Sequence, residues 1–343
     1  MDHSSLQPLL SDKSLRQNKG TGNNMMIRSL SNPVISRKDI PATVPELVDV
    51  SSVFNPGAVK HDNLIKLMLR VQNRGRETFL LMADSEDGRS FQIRDEIIKW
   101  HGIEKVKEKI YHLYDPRITK IDTEYYIMFS LDMESGCRLG LGKTMDFAKF
   151  EFMGIVSDHD NRNGVLFPEK INNKFLRLDR PNLIEMDSGL KSGNAICLAE
   201  SLDLLHWKSC GTVAEGRAHY WDELIGAGPP PIKTRQGWLV VYHGIALHYQ
   251  PIYQAGVMLL DLQDPLKVIG RSRVNILEPR EIYELVGQVP NVVFPSGAIC
   301  SSQDDEGFVT SESEILIYYG AADTSVCRAE TDLRILMAGL TSE

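Results

Sequence analysis

This 343-residue chain has few cysteines, no closely spaced histidine pair and no long apolar run. Its five cysteines, Cys137, Cys197, Cys210, Cys300 and Cys327, are odd in number and include no CxxC pair. That excludes a disulfide framework and a cysteine zinc site. The nine histidines form no HxH or HExxH pair, so no metal site is expected. No apolar stretch approaches the ~18 residues of a membrane span. No signal-peptide core is legible either, since the only apolar cluster near the N-terminus is Met25-Met26-Ile27. A cytoplasmic protein with no membrane partner is expected. Basic charge is in deficit, with 38 Lys and Arg against 46 Asp and Glu, a net −8. Nucleic acid, which selects basic faces, is therefore not an expected partner.

What is present is a globular composition, 42% apolar and 24% charged, which excludes a mainly disordered chain. Residues 1–40, rich in Ser, Asn, Lys and Arg, read as a flexible tail, and residues 41–343 as the folded body. The body repeats. Pro56, Pro116, Pro168, Pro231 and Pro295 recur every ~60 residues, each near a turn. Strand-like runs follow them: Leu64–Val71, Tyr125–Ser130, Lys174–Leu178, Trp238–Tyr242 and Ile315–Tyr319. A further strand follows in most copies. Three copies then share a hydroxyl, an Asp two residues on and an aromatic six residues on: Ser85, Asp87 and Phe91; Thr144, Asp146 and Phe150; Ser201, Asp203 and Trp207. A sheet-sized unit repeated five times predicts an all-β fold, a five-bladed β-propeller. The last copy lacks an outer strand, and residues 40–53 are the expected source of one to close the ring. The segment Arg94–Lys109 has a helical pattern and is expected as an insertion between blades one and two.

Asp115 stands out among the candidate chemical groups. The residue before the repeat proline is Asn55, Phe167, Pro230 or Phe294 in the other copies, and acidic only here. Equivalent positions of successive blades converge on a propeller's channel. An unpaired carboxylate there, beside Tyr114, would have a raised pKa and could act as a general acid. A turn-forming Asp before proline is the plainer alternative. Arg162 and Arg180 flank the third copy's first strands and could clamp a phosphate or a sugar hydroxyl; Arg180 could equally pair with Asp179. Glu223, in Tyr220-Trp221-Asp222-Glu223, could serve as a base while Trp221 stacks on a sugar; a solvated loop is the alternative. His243 ends a strand in Val241-Tyr242-His243-Gly244, where a structural role is the plainer one. Gly140-Leu141-Gly142-Lys143-Thr144 looks like the end of a P-loop, but Cys137 stands where glycine is needed, and Lys143 is expected in a turn.

These residues resemble glycoside hydrolase family 130, the mannoside phosphorylases and β-mannosidases, over roughly residues 45–340. The carrying motifs are Tyr114-Asp115-Pro116-Arg117-Ile118, Gly164-Val165-Leu166-Phe167-Pro168-Glu169-Lys170-Ile171, Gly226-Ala227-Gly228-Pro229-Pro230-Pro231, Tyr242-His243-Gly244 and Tyr319-Gly320-Ala321-Ala322-Asp323. The resemblance implies a five-bladed fold and inverting catalysis on a short β-D-mannoside. It makes Asp115 the single catalytic acid, protonating the glycosidic oxygen through the mannose 3-hydroxyl. It implies sugar contacts at Asn55, Arg70, Tyr114 and Asp323, and a phosphate set of Arg162, Arg180, His243 and Tyr253.

One position departs from the family pattern. The phosphorylases carry a basic residue directly before the Ile/Val-Gly of the Gly-x-Gly-Pro-Pro-Pro stretch. Here that residue is Leu224, preceded by Glu223. A lost cation weakens an anion site, and an added carboxylate repels phosphate but suits a base that activates water. The expectation is a β-1,2-mannosidase with Asp115 and Glu223 as acid and base. The alternatives are a β-mannoside phosphorylase releasing mannose 1-phosphate, and a non-catalytic glycan-binding propeller. No cofactor is expected; inorganic phosphate is a co-substrate in the phosphorolytic case. Assembly into a homo-oligomer is left open.

Overall fold

The computed structural model describes residues 25–185 and 191–342 and has the five-bladed architecture. Blade one begins with an inner strand in two pieces, Val50–Val53 and Gly57–His61, and continues outward through Leu64–Asn73, Thr78–Ser85 and Gln92–Ile97. Blade two runs Ile110–Ile121, Glu124–Met133, Gly136–Thr144 and Phe150–Ile155. Blade three runs Asn161–Leu166, Phe175–Pro181, Ala195–Ser201 and Lys208–Glu215. Blade four pairs a split inner strand, Leu224–Ala227 and Ile232–Thr234, with Gly237–Ala246, Ile252–Leu260 and Val268–Ser272. Blade five holds Val293–Cys300, Glu314–Ala321 and Ser325–Asp332.

The core lies between the blades. Successive residues of a strand face opposite sides of its sheet. Leu67, Leu69 and Val71 therefore pack with Tyr318 and Val326 of blade five, whereas Met68 packs with Ile127 and Phe129 of blade two. Five such clusters, one at each interface, carry the hydrophobic burial round the ring. The hydroxyl-x-Asp pattern forms the outer turns as expected. Ser201 Oγ accepts from the Leu204 amide, and Asp203 Oδ1 accepts from those of Leu205 and His206.

Several expectations fail. The segment Arg94–Lys109 is not a helix: it continues blade one's outer strand and then adds Trp100–His101, parallel to Phe150–Glu151 of blade two. Trp100 lies flat against Gly142, where any side chain would collide with its ring, and 4.9 Å from Phe129. Burying this indole outweighs the helical spacing of the segment. Lys143 is in a strand, paired with Glu124 at 3.0 Å, rather than in a turn.

The ring does not close with residues 40–53, whose Val50–Val53 opens blade one. Blade five instead receives Ile27–Arg28, paired with Glu330 and Ala329. Met26 and Ile35 are buried, and Arg28 holds the fully buried Glu284 at 2.8 and 2.9 Å. The boundary expected at residue 40 therefore falls inside a packed segment; residues 1–24 lie outside the described residues. The C-terminal Leu340–Ser342 joins the outer edge of blade four. Among the described residues no helix is long and apolar enough to cross a membrane.

Each inner strand is interrupted at one level of the channel. The breaks fall at Phe54-Asn55-Pro56, between Tyr114 and Arg117, between Arg162 and Val165, over Gly228-Pro229-Pro230-Pro231, and between Pro295 and Gly297. A bulge re-aims side chains, and proline cannot continue the ladder. In blade three the break falls at Asn163-Gly164, not at Phe167-Pro168, so Asn163 rather than Phe167 is the counterpart of Asp115. Asp115 and Asn163 both have left-handed backbones, φ 55° and 54°.

Candidate active site

Asp115 sits at the blade-two break, mostly enclosed, and accepts from Arg70 Nη1 at 3.0 Å. Arg70 comes from blade one's second strand. Its guanidinium lies over the rings of Phe54, at 4.1 Å, and Tyr114, at 4.8 Å. Burial alone would raise the Asp115 pKa. Arg70, Arg117, the Asn55 amide and Arg162 overcome that and hold it below the usual carboxylate value. The expected unpaired acid with a raised pKa is therefore corrected: Asp115 is an ion-paired carboxylate. Asp323, at the blade-five turn, behaves oppositely. Burial pushes its pKa up to about 6, the Asp115 charge adds to this, and Arg70 opposes it. Tyr114 donates to Asp132 at 2.7 Å and touches Cys137 Sγ at 3.3 Å.

Across the channel, Arg162 and Arg180 are direct cross-strand partners at the start of blade three. Arg162 lies 5.7 Å above the Tyr114 ring and 3.8 Å from Asp132. Arg180 Nη1 is 3.4 Å from His243 Nε2. Burial, then Arg180 and Arg117, push the His243 pKa well below the usual value, so its ring is neutral. His243 stacks on Phe294 at 4.4 Å and Tyr253 at 6.2 Å. A side chain at position 226 would meet His243 Nε2 at 2.7 Å and Asn163 Oδ1 at 2.8 Å, so Gly226 is what lets these groups approach.

Many buried polar atoms here have no partner among the described residues: Arg70 Nε, Arg117 Nη2, Arg162 Nε, Asn163 Oδ1, Arg180 Nε and His243 Nδ1. Such atoms are costly unless a ligand or water satisfies them. Cations cluster as well. Two facing guanidinium groups repel unless an anion lies between or beside them. The arrangement therefore suits a polyhydroxylated substrate next to a small anion.

The structure gathers Asn55, Arg70, Tyr114, Asp115, Asp323, Arg162, Arg180, His243 and Tyr253 around one channel. Glu223 is held by loop main chain. Its oxygens accept from the main-chain amides of His219, at 3.1 Å, and Leu247, at 2.7 Å, so it ties two loops together. Trp221 is also occupied. Its ring stacks on Tyr242 at 5.7 Å, its Nε1 donates to Arg273 O, and Gly244 and Gly256 lie flush against it. The neighbouring acid, Asp222, is fully buried, ion-paired with Arg217 and Arg271 and accepting from the Tyr242 hydroxyl. Leu224 is buried in the strand beside Ile245. Two site groups were missed in the sequence. Arg117 sits inside the Tyr114–Ile118 motif two residues after Asp115, and Asn163 could be found only by aligning the breaks.

The sequence profile described as beta-1,4-mannooligosaccharide phosphorylase, that of glycoside hydrolase family 130, matches residues 28–342. The chain belongs to glycoside hydrolase family 130. It is 32% identical to the beta-1,4-mannooligosaccharide phosphorylase of Ruminococcus albus, covering 88% of this chain and 86% of that protein. It is 33% identical to a 1,2-beta-oligomannan phosphorylase of Thermoanaerobacter, covering 80% and 88%. Its fold superposes on the beta-1,2-mannobiose phosphorylase of Listeria innocua with a TM-score of 0.79 at 26% identity, covering 92% of this chain and 98% of that one. The chain is thus an enzyme of a mannoside-active family.

Proposed function

We propose that this family 130 enzyme is a β-mannoside phosphorylase. The observation that carries the reading is the facing pair Arg162 and Arg180 beside a neutral His243, with no carboxylate ion-paired to Arg180 among the described residues. The named relatives are phosphorylases, which favours this reading over the hydrolytic one expected from Glu223 and Leu224. Hydrolysis by inversion needs a second carboxylate to activate water, and both oxygens of Glu223 are engaged by loop amides. The relatives differ in the linkage their names print, so the proposal is pitched at short β-mannosides, β-1,2 or β-1,4.

In this reading a phosphate dianion, held by Arg162, Arg180 and His243, attacks the anomeric carbon as the glycosidic C–O bond breaks. The mannose 1-phosphate that forms has inverted configuration. The departing oxygen takes a proton from Asp115 through the mannose 3-hydroxyl. Because the Arg70 pair holds Asp115 ionised, a proton is taken up as the mannoside hydroxyls engage Arg70. Fixed guanidinium charge then stabilises the transferring group at no cost in reorganisation.

Two substitutions test this. Arg180→Ala should raise the KM for phosphate at least tenfold, as losing a charge-assisted hydrogen bond of about 1.5–3 kcal/mol requires, and change the mannoside KM less than about threefold. Glu223→Gln should keep turnover within about threefold. The reverse pattern, an inactive Glu223→Gln beside an unaffected Arg180→Ala, would assign the enzyme to hydrolysis.

A further inference from the structure

Arg117 is fully buried in the inner strand of blade two, and among the described residues no carboxylate oxygen is hydrogen-bonded to its guanidinium. Nη1 donates to the main-chain O of Asp115 at 2.7 Å, and Nε donates to Gly228 O of blade four at 2.9 Å. Nη2 is buried without a partner. The guanidinium lies 5.5 Å over the Phe294 ring of blade five, and that ring stacks on His243. One side chain thus touches three inner strands and stands between the carboxylate and the histidine of the site.

A buried guanidinium is expensive unless its charge is used. Burial drags its pKa down to about 10, and the Asp115 carboxylate is the group that opposes the drop. A methionine or leucine could brace the same space without that cost. The backbone supplies a second reason for a forked donor. Asp115 has φ 55°, a left-handed conformation that side chains resist. That turn points the Asp115 carbonyl at Arg117, whose Nη1 fixes it.

We propose that Arg117 is a positioning residue for the reaction: its fork locks the backbone turn that aims Asp115 into the channel, and its charge joins that of Arg70 beside the carboxyl. The inference rests on the reading of Asp115 as proton donor. The other charged and titratable groups around Asp115 are Arg70 of blade one, Tyr114 of its own strand, Arg162 and Arg180 of blade three, Tyr253 and His243 of blade four, and Asp323 of blade five. None of these bonds the Asp115 carbonyl.

The test uses Arg117→Gln, which keeps a donor but no charge, and Arg117→Lys, which keeps the charge but no fork. The pH profile of kcat is measured on a β-mannobiose with saturating phosphate. Asp115 donates as the protonated form, so the alkaline limb of kcat follows its pKa in the complex. Removing a nearby cation raises that pKa. Arg117→Gln should therefore move the limb up by about one pH unit, and Arg117→Lys should leave it in place. Both should lower kcat at least tenfold while the phosphate KM stays within about threefold. A limb that stays put in Arg117→Gln, or wild-type kcat in both variants, overturns the proposal. If Arg117→Gln does not fold, kcat of Arg117→Lys decides alone: a wild-type value overturns the role of the fork. Asp115→Asn is the parallel control. If it keeps full activity, the proton-donor reading fails; if it is inactive while both Arg117 variants behave as wild type, only the role of Arg117 fails.

Discussion

At the scale of single residues, the two carboxyls of the channel are set apart by their surroundings. Asp115 faces Arg70 and is held ionised, whereas Asp323 has burial and a neighbouring anion against it and titrates near 6. A carboxyl whose folded pKa lies above its unfolded value, roughly 3.9, binds its proton more tightly when folded. Its contribution to stability is full below the unfolded pKa and is lost as pH rises through about 6. Ionised Asp323 therefore weakens the fold at neutral pH. Asp323→Asn should raise stability at pH 7 by about 1–3 kcal/mol, and the gain should vanish by about pH 4, while mannoside turnover falls. Urea melts at both pH values check this, and an equal gain at both would mean the carboxyl does not titrate as described. Asp115 was legible because it alone broke a repeat of non-acidic residues. Glu223 shows what the sequence leaves open, because a carboxylate that ties two loops by their amides has the same sequence as one that faces a substrate. Arg117 passed unnoticed because an arginine in a strand carries no sign of which carbonyls it will meet.

At the scale of elements, the prolines were informative for a reason beyond turns. Four of the repeat prolines mark where an inner strand stops pairing, and in blades one and two the break carries a polar residue, Asn55 or Asp115. Blade three makes the same break with Asn163-Gly164, which is why its proline misled the comparison. The strand that completes blade five was illegible: Ile27–Arg28 is two residues long and has no period to detect. Its anchor is ionic, since Arg28 neutralises a glutamate with no exposure to water. Breaking such a pair strands a buried charge at a cost on the order of 3 kcal/mol. Arg28→Ala should lower the urea midpoint accordingly and leave kcat of the folded enzyme unchanged. Loss of turnover without loss of stability would show that the segment has a role at the site rather than in ring closure.

For the whole molecule, the ring form was readable because each blade repeats the same sheet, and a sheet buried on both faces writes itself as an apolar run. The interblade clusters put each blade's inner strand at the axis, so chemically unlike residues far apart in sequence meet in one channel. What the sequence could not weigh was the balance of charge there. Leu224 and Glu223 suggested a weakened anion site; the folded arrangement keeps Glu223 on its loops and leaves Arg162 and Arg180 facing one another. That balance is the basis for choosing phosphate over water as the nucleophile. The direct measurement is product analysis by NMR on β-1,2- and β-1,4-mannobiose, with and without inorganic phosphate. The account predicts α-mannose 1-phosphate and mannose in equal amounts from one of the two disaccharides when phosphate is present, and no cleavage when it is absent. Release of mannose alone, at the same rate with and without phosphate, would contradict it.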